Sequence, residues 1–224
     1  MMQTTPHADN NNAIKEGYQR PILRHLNVDR LVNRRVGGLI AKMAFRTRIT
    51  PNQLTYASFA LMVGGAVCYC LNHRSFILAG AFLQLLSNFV DSADGILARM
   101  KGMSSKFGAT LDLILDRIGD LLLYGSLAVA VYHTSHDVRL IILGLAGLAA
   151  FNLQVSLYYL IESYNRVPQT GLSGETRAFT SWVIWLCTLI NHLEIMIFIA
   201  VIEPLASIVY QTVKFLRLGK NQAS

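Results

Sequence analysis

Charge is scarce in this chain: 15% of its 224 residues are Asp, Glu, Lys or Arg, where an ordinary soluble domain carries about 25%. Cysteine is scarcer still. The thiols Cys68, Cys70 and Cys187 form no C-x-x-C pair, which argues against a disulfide framework or a thiolate metal site and reads as packed side chains. No secretory leader is expected either. The opening residues, MMQTTPHADNNNAIK, are polar rather than apolar, so the first hydrophobic run is expected to act as the insertion signal. No low-complexity tract, repeat or separate soluble stretch interrupts the chain, which leaves one domain.

What fills the chain instead is apolar sequence, 53% of it. A membrane-spanning helix needs about 20 mostly apolar residues, and six stretches are expected to cross: 54–71, 76–98, 107–132, 138–163, 178–192 and 194–216. Cations are distributed unevenly between the linkers. The first 50 residues hold Lys15, Arg20, Arg24, Arg30, Arg34, Arg35, Lys42, Arg46 and Arg48, and alternate loops add Arg99, Lys101, Lys106, Arg166, Arg177, Lys214, Arg217 and Lys220. The opposite loops hold only Arg74 and Arg139. Cationic loops stay on the cytoplasmic side, so both termini are expected there, in a bacterial inner membrane or its equivalent. The same bias accounts for the net charge of +7, and nothing calls for nucleic acid.

Residues 1–24 read as a polar, disordered leader, 25–216 as a single membrane domain and 217–224 as a short cytoplasmic tail. Within the domain, Val28, Leu31, Val32, Val36, Leu39, Ile40 and Met43 recur at helical spacing opposite Asp29, Arg30, Asn33 and Arg34. That pattern predicts an amphipathic helix lying on the cytoplasmic interface. The expected fold is therefore an all-α integral membrane protein, six transmembrane helices preceded by an interfacial helix.

Five aspartates break two of the apolar runs: Asp91, Asp94, Asp112, Asp116 and Asp120. Each would cost roughly 2.5–3.5 kcal/mol facing lipid at mid-helix, so they must face one another, a metal or water. Asp91, Asp94, Gly95 and Ala98 share one helical face, and Asp112, Asp116 and Asp120 rise turn by turn on the next helix with Gly108 on the same side. The link at 99–106 is short, so the two helices are expected to be antiparallel neighbours with their acidic faces meeting near the cytoplasmic end. Converging carboxylates without cations would protonate. An all-oxygen set suits Mg²⁺ or Mn²⁺ instead. Arg99 can fork onto a phosphate oxygen. Asp120 is open to two readings, an ion pair with Arg117 or a support behind the metal ligands.

Asp91-x-x-Asp94-Gly95-x-x-Ala98-Arg99, eight residues, then Gly108-x-x-x-Asp112-x-x-x-Asp116 resembles the signature of the CDP-alcohol phosphotransferases at all eight positions. Thr50-Pro51-Asn52-Gln53-Leu54-Thr55 resembles the segment that leads into that family's first span. The resemblance implies that Asp91, Asp94, Asp112 and Asp116 hold two divalent ions, and that Asp116 is the base on the acceptor hydroxyl. It implies that Asn52, Thr55, Gly95, Ala98, Arg99, Ser105 and Gly108 contact the CDP-linked lipid donor. It also implies a homodimer, a small alcohol acceptor and release of CMP in phospholipid synthesis.

The acceptor is less legible. Asp116-Arg117-x-x-Asp120 is similar to members that use inositol phosphates, but the basic cluster those members carry late in the fourth span is replaced here by Ser156-Leu157-Tyr158-Tyr159-Leu160-Ile161-Glu162. Arg117, Arg166 and Arg177 remain as candidate phosphate binders. Inositol phosphate or inositol is preferred, with a choline- or ethanolamine-type transfer to a lipid hydroxyl, or a carboxylate-lined ion transporter, as alternatives. His7, His25, His73, His133, His136 and His192 lie away from the motif and read as solvated or interfacial.

Overall fold

The computed structural model describes residues 32–165 and 172–222, and all elements among them are helical. In chain order they are α1 (Arg34–Phe45), α2 (Pro51–Cys70), α3 (Arg74–Met100), α4 (Lys106–Ser135), α5 (Val138–Asn165), α6 (Leu172–Leu189) and α7 (Leu193–Gln222). Each of the six apolar runs corresponds to one of α2–α7, and the junction expected near Asn191 and His192 falls in the turn between α6 and α7. The leader and Arg166 lie outside the described residues, as does the side chain of Arg177.

Packing closes α2–α7 into a ring: α2 on α3, α3 on α6, α6 on α7, α7 on α5, α5 on α4 and α4 back on α2. α3 and α4 both pack on α2 as their common neighbour, and the expected meeting of their acidic faces is seen in the approach of Asp91 to Asp112 and Asp116. Among the described residues four helices are long and apolar enough to cross a bilayer, Pro51–Cys70, Arg74–Met100, Val138–Ile161 and Leu193–Val213. The first half of α4 carries Asp112, Asp116, Arg117 and Asp120, and in α6 the apolar stretch Thr180–Leu189 is shorter. Large side chains on the outer surface, among them Phe82, Ile142, Leu160, Ile202 and Val209, are each at least 60% exposed, as a lipid-facing surface requires. The chain is a multi-pass membrane protein.

Local chemistry fixes the ends. Thr50 caps α2: its Oγ1 accepts from the Gln53 N–H at 3.3 Å and Gln53 Oε1 accepts from the Thr50 N–H at 2.9 Å, with Pro51 at the first helical position, where a missing N–H is harmless. α3 ends at Gly102, whose φ of 64° is left-handed; the Met103 N–H then reaches the Ala98 carbonyl at 2.9 Å. Lys101 Nζ donates to the Thr47 and Ile49 carbonyls at 2.9 and 2.8 Å, so the α1–α2 turn and the α3–α4 link are tied together.

Arg74, one of the few cations in its set of loops, has a structural role. Its guanidinium donates to the Thr188 carbonyl at 2.6 Å, the Leu189 carbonyl at 2.8 Å and Asn191 Oδ1 at 3.0 Å, satisfying carbonyls that the end of α6 leaves without helical partners. Arg74→Ala should therefore destabilise the protein by about 1–3 kcal/mol, read as a lowered melting temperature, whereas Arg139→Ala should leave it within a degree of the parent.

α1 docks on α3 through small residues, Gly37, Ala41 and Ala44, while Leu39 and Met43 from the expected apolar stripe are 61% and 66% exposed. The fit at Gly37 is tight, since a Cβ there would meet Ser92 Cβ at 2.9 Å. The core is likewise divided. One cluster (Tyr69, Leu127, Val131, Phe151, Ile184 and Met196 among others) fills the ring, and a smaller one (Ala41, Ala44, Leu54, Ala93 and Leu97) joins α1, α2 and α3.

Candidate active site

Asp91 comes from α3 and Asp112 and Asp116 from two successive turns of α4. Each offers a carboxylate oxygen, and these oxygens all lie within 4.8 Å of one another, half-buried. Around an octahedral Mg²⁺ at about 2.0–2.1 Å, ligand oxygens lie roughly 3–4 Å apart. Small side-chain rotations bring three carboxylates from 4.8 Å into that shell, and a hard all-oxygen donor set matches Mg²⁺ or Mn²⁺. The residues present fit a divalent cation. The separation of the α3 and α4 backbones makes room for it, because packed helices would drive these carboxylates into contact.

Asp94 stands outside that cluster. It is buried, and Thr55 Oγ1, one turn into α2, donates to its Oδ2 at 2.5 Å. The N-terminal turns of α2 thus serve both acidic helices: Thr55 reaches α3, and Asn52 reaches α4. A Cβ on Gly108 would lie 3.1 Å from Asn52 Oδ1 and 3.2 Å from Ser105 Oγ, so Asn52, Ser105 and Gly108 converge. Ser105 caps α4, its Oγ accepting from the Gly108 N–H at 3.0 Å. On the opposite wall the Arg99 guanidinium lies over Gly95, with Nη1 3.6 Å from where a Cβ would be, and Ala98 is half-buried beside it. At both glycines the end of a polar side chain stands where a Cβ would be, Arg99 at Gly95 and Asn52 with Ser105 at Gly108, so each glycine lets a hydrogen-bonding group come close to the helix, and at Gly95 that group is a forked cation.

Arg117 has an evident occupation. Its Nη2 is 3.1 Å from Asp120 Oδ2, and its Cζ lies 5.6 Å from the centre of the Phe151 ring, a cation–π distance. Of the two readings of Asp120, the ion pair is the one observed. Sequence reasoning missed four residues beneath the carboxylates. Gln84, Asn88, Thr180 and Ser181 line a small cavity, with room for about one water molecule, together with Asp120. The spacing of Gln84, Asn88 and Asp91 on one helical face was the signal available.

Three comparisons bear on this arrangement. The family model described as CDP-alcohol phosphatidyltransferase matches residues 48–210. A phosphatidylinositol phosphate synthase from Corynebacterium glutamicum is 42% identical over 88 residues, 39% of each chain. An archaetidylinositol phosphate synthase from Pyrococcus horikoshii is 40% identical over 86 residues, 38% of this chain and 42% of that one. The matched segments thus span about two-fifths of the length of these curated relatives. Among solved structures, the Mycobacterium tuberculosis phosphatidylinositol phosphate synthase with CDP-DAG bound superposes with a TM-score of 0.66 at 20% identity, covering 81% of this chain and 94% of that one. At that identity the likeness speaks for the fold. With the family model covering both acidic helices and the turn that braces them, the chain belongs to the CDP-alcohol phosphatidyltransferase family.

Proposed function

We propose that the chain transfers a phosphatidyl group from a CDP-linked lipid donor to a hydroxyl of inositol phosphate or inositol, releasing CMP. The observation that carries this reading is the cluster of Asp91, Asp112 and Asp116 oxygens within 4.8 Å, set between two helices of a membrane bundle whose family is defined by that chemistry. Relatives named as inositol phosphate lipid synthases support the acceptor. A related structure in complex with manganese and citrate supports a divalent metal.

In this reading Asp91, Asp112 and Asp116 hold two divalent ions, with Asp94 joining them from its Thr55 hydrogen bond when the site is filled. Held there, divalent ions would supply positive charge against the donor's pyrophosphate and the departing CMP. Asn52, Thr55, Gly95, Ala98, Arg99, Ser105 and Gly108 form the nucleotide cradle. Asp116 takes the proton of the acceptor hydroxyl. That oxygen bonds to the lipid-bearing phosphorus, the bond from this phosphorus to the bridging oxygen breaks, and CMP leaves with the negative charge. Arg166 and Arg177 are the cations proposed for the acceptor's phosphate; Arg117 is already engaged by Asp120. Orientation fits the same picture, with α2–α7 all crossing, both termini and the site cytoplasmic, and Leu39 and Met43 of α1 dipping into the headgroup layer. A homodimer completes the reading.

The test is CMP formation by purified protein in lipid vesicles supplied with CDP-diacylglycerol. Metal-dependent CMP release is expected with inositol phosphate, greater than with inositol, glycerol phosphate or serine, and is expected to vanish on chelation. Metal-driven ion flux without CMP, or CMP formed only from CDP-choline and diacylglycerol, would refute the assignment.

A further inference from the structure

About one helical turn from the carboxylates, α3, α4, α5 and α6 border a void with room for about one water molecule. Asn88 precedes Asp91 by a turn on α3, and Asp120 follows Asp116 by a turn on α4. Gln84 and Asn88 from α3, Asp120 from α4 and Thr180 from α6 form its polar wall, and Tyr124 and Phe151 stand among the apolar side chains opposite.

Gln84 and Thr180 are only 3% and 6% exposed, yet Gln84 Oε1 and Thr180 Oγ1 have no hydrogen-bond partner among the described residues, and neither has Asn88 Nδ2. Buried polar groups are otherwise almost always paired. What the wall offers decides what fits. The Asn88 amide and the Thr180 hydroxyl can each donate a hydrogen bond, while Gln84 Oε1 and the Asp120 carboxylate can each accept one. A water molecule has the matching inventory, hydrogens for both acceptors and lone pairs for both donors. An anion would meet the Asp120 carboxylate. A cation would meet the Asn88 N–H and the Arg117 guanidinium that already holds Asp120. The wall suits a neutral water.

We infer that one ordered water bridges Gln84, Asn88, Thr180 and Asp120, and that through it α6 sets the gap between α3 and α4 in which Asp91 faces Asp112 and Asp116. The two acidic helices share α2 as a neighbour on one side. The water joins them on the other, where α6 packs on α3. Gln84, Asn88 and Thr180 are thus positioning residues: they touch neither metal nor substrate, and they act by fixing how far apart the carboxylate oxygens stand. That spacing governs how closely the oxygens close on an ion. The inference rests on the divalent-ion reading proposed above.

Mn²⁺ binding to full-length protein in lipid, read from the paramagnetic resonance signal of the free ion, tests this independently of turnover. Thr180→Val removes the hydroxyl at nearly constant shape and should weaken Mn²⁺ roughly tenfold, the low end for groups that support a metal's own ligands. Gln84→Met, on α3, should do the same. Thr180→Ser keeps the hydroxyl and should bind Mn²⁺ within about twofold of the parent. CMP release by Thr180→Val should be low when Mn²⁺ is scarce and return toward the parent level as Mn²⁺ is raised, a recovery that a misfolded variant would not show. A purely structural role predicts instead a lowered metal-free melting temperature with unchanged Mn²⁺ affinity. A crystal structure that resolves ordered waters should show one within hydrogen-bonding reach of Gln84 Oε1 and Thr180 Oγ1. Parent-like Mn²⁺ affinity in both Thr180→Val and Gln84→Met, or no water at that position, would overturn the inference and leave the metal reading standing. A parent that binds no Mn²⁺ would remove both.

Discussion

Asp116→Asn should lower CMP release roughly 10²–10⁴-fold, the range that a positioned base contributes, without unfolding the protein. Asparagine has nearly the same shape and cannot take the proton. It also removes one negative charge from a cluster whose oxygens approach within 4.8 Å, so the metal-free variant should melt at the parent temperature or above it. The sign reverses when Mn²⁺ is added. A ligand stabilises by RT ln(1 + [L]/Kd), so the parent should gain several degrees in millimolar Mn²⁺ and the variant markedly less. The two readouts, CMP release and the Mn²⁺-dependent melting shift, must move together if Asp116 both holds metal and accepts the proton. A variant with near-normal turnover would remove the base, and one with an unchanged Mn²⁺ shift would remove the ligand.

Gly80→Ala is expected to give the largest loss of stability for the smallest added volume. The backbones of α2 and α3 meet at Gly65 and Gly80, and a Cβ on Gly80 would lie 2.9 Å from the Gly65 carbonyl oxygen and 3.3 Å from Cys68 Cβ. Neither neighbour is the movable end of a side chain, so the helices must separate. Such overpacking costs about 1–3 kcal/mol. The consequence reaches the site, because α2 carries Thr55 and α3 carries Asp94 at the same interface, bonded at 2.5 Å. Activity should therefore fall along with melting temperature. Gly38→Ala is the control, since a Cβ there meets nothing within 4 Å; its melting temperature should be within a degree or two of the parent. Equal melting of Gly80→Ala and the parent would mean that the crossing is looser than described.

Helix positions and the carboxylate cluster were legible in the sequence because both follow from period and cost. An apolar run of about 20 residues reports its own length, and Asp91, Asp112 and Asp116 could only be tolerated by converging. What escaped was lateral order. The glycine contact at Gly65 and Gly80 draws α3 onto α2, and apolar periodicity does not encode which neighbour a small residue selects. The small residues of α1 escape notice for a related reason: Gly37, Ala41 and Ala44 make the contact with α3, since the close approach at Ser92 admits no larger side chain, while Leu39 and Met43 stay exposed. The hydrogen bond from Thr55 to Asp94, 39 positions apart, likewise has no local pattern to announce it. Gln84, Asn88 and Thr180 went unread because isolated amides and hydroxyls inside apolar runs carry little signal until three-dimensional packing brings them to one void.

Lys101 has a last consequence. By grasping the carbonyls of Thr47 and Ile49, it makes two linkers far apart in sequence behave as one strap across the mouth of the bundle. Asn52 follows one linker and Ser105 ends the other, so their relative placement is settled when the chain folds. In the proposed reaction the entropy of arranging that rim would then fall on folding rather than on each round of turnover, and affinity could be kept modest enough for CMP to leave.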